Sequence, residues 1–561
     1  MLILLPLLAA VLRGGALPGW WLPPECALLV IPLRVWYWEK GGSKWGDYLG
    51  GLLHVLIYFN FLHNTFPFSQ VAVGVILGAW WLAERALWSG LRRWLPTALA
   101  GALAIVAVEW LRFHGPMGGV PWGSLALGFA DRPVALEWAS VLGESGWVLL
   151  IAFCGAALYS LFGPRRGAFA HSLECLPAGL LAAIAWMAVE PVAAIKDSVR
   201  TLSVQGNLSI EDKHGSNARR GPNEVFARQA ELAWLGMDAE PEAEIVLWSE
   251  TMWPYPVTPA LGDPHSEGFM IRPWPNSEEI RTTDYLRDVN AANVQHLLRG
   301  RDSGRVFITG AHFYLGVPEK EAWRPGEPRE PATWSPRTSE FLAFNERGEL
   351  EDHFSKSELV PFGERLPFNG KFPGAEWLAL EMLRATQLYP RFANTGRSGP
   401  LKVDDWVLGG AVCWENVYER PFRAQADRGA EAFLILSNEN WYRISEEMDQ
   451  MVAATRFRAS ETGRPILRVA NTGITALFDR RGELLGALPR GERGWFGADL
   501  SLIAGGFRTP YQRWGWWLQP LVTALAVLGA AYGWILARMR QSRSHPEEAT
   551  ERLLDPSEGR R

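Results

Sequence analysis

Cysteine is scarce in this chain, with 4 in 561 residues. Cys26, Cys154 and Cys175 lie in the apolar first third, so Cys413 stands alone in the charged region and has no neighbour with which to build a disulfide framework. A basic surplus is lacking as well. The formal charge is −5 and Lys and Arg gather on no single polar stretch, which excludes the field that a nucleic-acid binder needs. No internal repeat is evident. No metal-ligand cluster is present either, so no metal and no other cofactor is expected. Residues 1–12 lack the basic n-region of a cleaved signal peptide and read as a short spanning or half-buried helix.

Apolar sequence is abundant, at 48%, and unevenly spread. Blocks rich in Trp, Leu, Ala and Gly fill residues 1–194 and return over 514–536, whereas 196–508 alternates short apolar runs with charged turns. A bilayer core needs roughly 17–25 apolar residues per helix. Besides the short first span, spans are expected at 17–37, 48–66, 69–88, 94–111, 144–162, 175–194 and 514–536. Every second loop is basic, through Arg34, Lys40 and Lys44, then Arg85, Arg92 and Arg93, then Arg165 and Arg166, then Arg538, Arg540 and Arg543. By the positive-inside rule these loops and both termini are cytoplasmic, which places 196–508 outside.

The expected organisation is therefore a helical membrane domain of about seven spans over 1–195, an outer domain over 196–508, a last span over 509–538 and a charged cytoplasmic tail over 539–561. The stretch 113–147 is too broken by Gly and Pro for a span and too apolar for a free linker; it suits a packing element, or a lipid-facing surface, at the outer interface.

Within 196–508, "RTLSVQGNL", "AEIVLWSE", "GRVFITGAHFY", "DWVLGGAVCWE" and "EAFLILSNENWY" read as strands, and "NERGE" and "DRRGE" read as hairpin turns. Stretches such as "MDQMVAATRFRASETGRP" have helical spacing, so a layered α/β domain is expected. Three positions carry chemistry that belongs together: Glu250 ends "EIVLWSE", Lys356 sits in "HFSKSELVPFGERLPF", and Cys413 ends "LGGAVC". A thiol needs a base or a cationic neighbourhood to act as a nucleophile near neutral pH. A carboxylate can take its proton, and an ammonium can stabilise the oxyanion formed at an attacked carbonyl. The backbone N–H of Trp414 is a second oxyanion donor in this reading. Taken singly, each residue also fits a bland role: a core thiol, a solvated cap, a surface lysine.

The order Glu250, Lys356, Cys413 resembles the carbon–nitrogen hydrolase (nitrilase) superfamily. More narrowly, residues 1–540 resemble its membrane-embedded apolipoprotein N-acyltransferase branch, through "VEWLRFHGPMGGVPWGSLALG", "VQGN", "VLWSET", "KSELVPFGE", "VCWE", "LSNENWY" and "RFRASETGRPILRVANTGITALF". The resemblance implies an αββα nitrilase-like sandwich on the extracytoplasmic side of a bacterial inner membrane, tethered to a multi-pass helical domain. It implies Glu250 as general base, Lys356 as oxyanion stabiliser and Cys413 as nucleophile. Glu364 matches a second acid that holds Lys356, Glu415 an acid after the nucleophile, and Asn438 and Trp441 residues of the pocket floor. The implied reaction moves an acyl chain from a phospholipid, through a Cys413 thioester, to the α-amino group of a diacylglyceryl-modified lipoprotein. Three stretches depart from the pattern. "WSET" lacks a usual proline, Trp414 stands where Tyr is common, and "SNENWYR" replaces a segment that often reads Asn-Asp-Ala-Trp-Phe-Gly. These departures bear on the shape of the acyl pocket. A membrane-tethered amidase using water as acceptor shares the same three residues, and a scaffold without catalysis is the remaining alternative. Residues 365–400 have the apolar and aromatic content of a lid dipping toward the membrane, or of a helical packing element.

Overall fold

The apolar blocks at the two ends fold as helices and the alternating middle folds as sheets. The computed structural model describes residues 2–65, 68–115, 119–162, 168–187, 193–209, 221–257, 269–271, 281–300, 303–314, 317–318, 337–361, 363–366, 373–374, 377 and 397–544. The expected lid and the charged tail fall almost wholly outside them.

Among the described residues four segments are long and apolar enough to cross a membrane: Ser69–Leu91, Thr97–His114, Pro133–Phe162 and Gly515–Arg540. Leu4–Gly15 and Ala170–Trp186 are apolar but shorter. The stretches 17–37 and 48–66, expected as spans, are not continuous helices. Pro18, Pro23 and Pro24 cannot donate to a helical ladder, and the first stretch folds as a 3-10 turn, Pro24–Leu29, leading into the helix Val30–Glu39. The second is the helix Lys44–Tyr58 followed by a 3-10 turn, Asn60–Asn64. Arg34 and Arg85, counted above among the loop cations, are spent inside the bundle instead. Arg34 is fully buried, 3.0 Å from Glu84 and 3.2 Å from Asp47, and Arg85 reaches Asp47 at 2.8 Å. Charges among apolar helices persist only when paired in this way.

The middle region has fifteen described strands. They are β1 Ile195–Gln205, β2 Ile245–Trp248, β3 Phe269–Ile271, β4 Arg281–Thr282, β5 Val306–Tyr314, β6 Val317–Pro318, β7 Arg337–Phe344, β8 Leu350–Ser355, β9 Leu401–Val403, β10 Trp406–Val412, β11 Ala432–Ser437, β12 Ile466–Ala470, β13 Thr475–Phe478, β14 Leu484–Leu488 and β15 Gly494–Ile503. Two six-stranded sheets run β15-β1-β2-β5-β7-β8 and β14-β13-β12-β11-β10-β9, and β3, β4 and β6 form a small third one. The two hairpin turns are where the sequence put them, between β7 and β8 and between β13 and β14, with Gly348 and Gly482 at positive φ.

Successive side chains of a strand face opposite sides, and here both sides are covered. Ile245 and Leu247 of β2 point into the space between the sheets with Leu434 and Leu436 of β11. Val246 and Trp248 point the other way, against Ala230 and Met237 of the helix Gly221–Ala239 and Val294 of the helix Thr283–Leu297. Phe433 and Ile435 meet Phe422 of the helix Glu419–Asp427 and Ala459 of the helix Glu447–Thr462. The result is a four-layer αββα sandwich.

This sandwich is not a separate body. Trp414, Tyr418, Tyr442, Met451 and Phe457 share one apolar core with membrane-helix residues such as Tyr58, Phe61, Ile105 and Leu149. The stretch 113–147 supplies much of that seam. Glu109 accepts from the Leu125 N–H at 3.3 Å and Arg112 donates to the Tyr58 hydroxyl at 3.1 Å and to the Trp122 carbonyl. These bonds fold the stretch inward, and Trp122 is buried. It is a packing element of both parts.

Candidate active site

Glu250 lies two residues beyond β2, where the chain turns through Thr251 at φ 56°. Gly310 of β5 permits this turn to sit close, since a Cβ there would stand 2.9 Å from the Glu250 Cα. One carboxylate oxygen accepts from the Asn438 N–H at 3.1 Å and the other lies 3.9 Å from the Lys356 ammonium.

Lys356 directly follows β8, and its N–H donates to the Ser339 carbonyl at 2.8 Å. Its side chain is buried and donates to Glu364 at 2.9 Å. The loop "LVPFGE" folds its own acid back onto the lysine. The Glu364 N–H donates to the Val360 carbonyl at 2.9 Å, and the Val360 N–H donates to the Glu364 carboxylate at 2.8 Å. Burial alone would pull the Lys356 pKa down, but the Glu364 and Glu250 carboxylates more than reverse this, so the ammonium form is held.

Cys413 directly follows β10 at φ 52° and begins a 3-10 turn, Cys413–Val417. A residue with a Cβ pays on the order of 1 kcal/mol for that conformation, and the sharp turn lifts the thiol out of the sheet. The thiol is buried between the sheets. Burial pushes its pKa well up, Glu250 adds to the rise and Lys356 opposes it. At rest it is a neutral thiol, with a carboxylate and an ammonium in its surroundings.

Glu415 is a clamp. It accepts from the Val412 N–H at 3.1 Å with one oxygen, and with the other from the Ser357 N–H at 2.9 Å, the Ser357 hydroxyl and the Glu358 N–H at 3.3 Å. It therefore ties the end of the cysteine strand to the lysine loop. Burial raises its pKa against those hydrogen bonds. The Asn438 backbone N–H positions Glu250, and its side-chain Oδ1 accepts from the Asn471 side chain at 3.0 Å. Trp414 turns its indole toward the membrane helices, stacked on Trp122 at 5.0 Å and 18°, and donates to the Tyr418 hydroxyl at 3.2 Å. Trp441 is half-buried against the same apolar core.

The sequence reading missed Tyr442 and Trp122. Tyr442 packs edge-on to Phe61 at 5.0 Å, its carbonyl accepts from Asn64 at 3.1 Å, and burial above all holds its phenol protonated. Trp122 also donates to Gln450. Both lay inside stretches quoted above, but their partners are hundreds of positions away and leave no local pattern.

Comparison with known proteins bears on both halves of the chain. Residues 315–504 match the carbon–nitrogen hydrolase family, and residues 9–157 match the apolipoprotein N-acyltransferase N-terminal domain. An apolipoprotein N-acyltransferase of Bdellovibrio bacteriovorus is 25% identical over 95% of this chain and 95% of its own length. One from Gloeobacter violaceus is 25% identical over 94% of each chain. One from Azotobacter vinelandii is 28% identical over 83% of this chain and 78% of its own.

Proposed function

The chain belongs to the apolipoprotein N-acyltransferase family within the carbon–nitrogen hydrolases, and we propose that it transfers an acyl chain in two steps through Cys413. In the first, Glu250 takes the Sγ proton as the sulfur attacks an ester carbonyl of a phospholipid. The Lys356 ammonium faces the developing oxyanion. Collapse breaks the ester C–O bond, the leaving lysophospholipid oxygen takes the proton from Glu250, and a thioester remains on Cys413. In the second, the α-amino group of the diacylglyceryl-cysteine of a lipoprotein attacks that thioester and gives its proton to Glu250. The C–S bond breaks, the amide leaves, and the proton returns to Cys413. Glu364 keeps Lys356 charged and aimed, while Glu415 and Asn438 position the nucleophile turn and the base.

One observation carries the lipid reading over a water-soluble amide. The nucleophile turn stands on the membrane helices, with Trp414 on Trp122 and Tyr442 on Phe61 in a single apolar core. An acyl chain lying in the membrane thus has a short path to the thiol. We place the middle region on the extracytoplasmic side of a bacterial inner membrane. Lys40, Lys44, Arg92, Arg93, Arg538 and Arg540 remain at the opposite ends of the helices and support that orientation.

The test is the intact mass of the purified protein after incubation with phospholipid. An acyl adduct is expected on the unmodified protein and none on Cys413→Ala. Absence of the adduct where lipid binds would overturn the reading. A diacylated lipopeptide should discharge it, whereas discharge by water alone would make the enzyme a hydrolase.

A further inference from the structure

The segment after the 3-10 turn Glu439–Tyr442 holds a conformation its residues do not favour. Arg443 has φ 53° and ψ −166°, a region open to glycine and costly for a residue with a Cβ. It is held from both sides. Tyr442 is fixed by Phe61 and Asn64, and the Ser445 carbonyl accepts from Arg490 at 3.2 Å. The strained reversal leaves the Arg443 side chain exposed, and among the described residues its guanidinium has no ion-pair or hydrogen-bond partner. The neighbouring cation Arg490 is spent on Asp449 at 2.8 Å.

Besides the acids Glu446 and Asp449, of which Asp449 is paired with Arg490, apolar side chains are exposed around Arg443. Ile444 is 67% exposed, and two loops of the membrane-helix region that touch this segment carry Trp21, 70% exposed, and Phe68, 82% exposed. The first loop lies against it at Gly19, where a Cβ would stand 2.7 Å from the Glu446 Cβ; the second touches it through Phe61 and Asn64. Exposed aromatic and aliphatic side chains beside an unpaired arginine suit the headgroup level of a bilayer. Five residues earlier in the chain, the Asn438 N–H donates to Glu250 at 3.1 Å, which ties this segment to the Cys413 site.

We propose that Arg443 binds the phosphate of the phospholipid acyl donor at the mouth of the Cys413 site, with Ile444, Trp21 and Phe68 against the lipid's apolar chains. This rests on the acyl-transfer reading above and names the donor's anchor. A phosphate contact near a membrane surface is worth about fivefold in affinity.

The experiment follows S-acyl adduct formation by the full-length protein in detergent against donor concentration, using a phospholipid and a diacylglycerol with the same acyl chains. The unmodified protein should half-saturate at lower phospholipid than diacylglycerol. Arg443→Gly should raise the phospholipid half-saturation about fivefold, move the diacylglycerol curve far less, and raise the thermal-unfolding midpoint because glycine relieves the strain. Arg443→Lys should retain part of the preference. An ether-linked phospholipid, which has the phosphate but no transferable ester, should compete with the donor in the unmodified protein and more weakly in Arg443→Gly. Unchanged phospholipid half-saturation in Arg443→Gly overturns the proposal, and leaves at most an anchor for bulk lipid. No adduct in the unmodified protein with either donor overturns the acyl-transfer reading itself.

Discussion

At Cys413 the two charged neighbours act in opposite directions on one proton. Burial and Glu250 push the thiol up while Lys356 pulls it down, and the net effect is a group protonated well above the usual range. A free thiol titrates near 8.5, so alkylation of Cys413 by iodoacetamide should rise at higher pH than that of an ordinary cysteine. Glu250→Gln removes a charge that raises the thiol, and should shift this alkylation profile to lower pH. In the proposed mechanism the same variant lacks its general base, so adduct formation from phospholipid should fall by about 10²–10⁴-fold. Peptide-resolved mass measurement separates Cys413 from Cys26, Cys154 and Cys175. A profile that stays put or moves to higher pH in Glu250→Gln would show that Glu250 does not act on the thiol.

Glu250, Lys356 and Cys413 could be picked out in the sequence because each ends an apolar strand or sits in a loop of distinctive composition, and Glu364 through the family resemblance. Their contacts could not. Glu415 is in the sequence only an acid that follows the cysteine; the fold shows it accepting from Val412, Ser357 and Glu358. The positive φ of Cys413, Thr251 and Arg443 leaves no mark in residue types that rarely adopt it.

Among the elements, the helix Pro133–Phe162 shows where local reading fails. The sequence "VLGESGW" suggests the end of a loop, with a span starting at 144. The chain is helical on both sides of it and bends at Gly143, which has φ 74° and ψ 177°. The break frees the Glu144 N–H, which donates to Glu461 of the helix Glu447–Thr462 at 2.7 Å, and the Glu144 carboxylate accepts from Arg458 at 2.8 Å. The bend thus latches a membrane helix to the helix behind the catalytic sheet. A Cβ at Gly143 would meet the Tyr511 ring at 2.3 Å as well as the unfavourable φ. Gly143→Ala should therefore destabilise the protein by about 2 kcal/mol or more, seen as a lower thermal midpoint in detergent. An unchanged midpoint would mean that the bend is not required. The strands and hairpins were easier to read, since alternation and "RGE" turns are local signals. A helix bent by a partner three hundred residues later is not.

For the molecule as a whole, the composition shift near residue 195 suggests a soluble domain hung between membrane helices. The fold gives that domain its own inter-sheet core, yet the side that carries the turn after Cys413 is finished by the helices. Removing them would expose Trp414, Val417, Tyr418, Tyr442, Met451 and Phe457 together. A contiguous apolar surface of that kind exceeds what monomeric soluble proteins tolerate. The Trp122–Trp414 stack and the Tyr418 hydroxyl bond to the Gly119 carbonyl at 3.3 Å would be lost from the turn that carries Cys413. A fragment of residues 193–508 should therefore aggregate, or bind an apolar dye strongly, unless detergent is present. Even in detergent it should not form the acyl adduct expected of the full chain. Light scattering, dye fluorescence and intact mass on the same preparation check this. A monomeric fragment that unfolds cooperatively without detergent and binds no dye would show that the sandwich is self-sufficient. The apolar seam would then serve access to lipid and contribute little to the stability of the catalytic half.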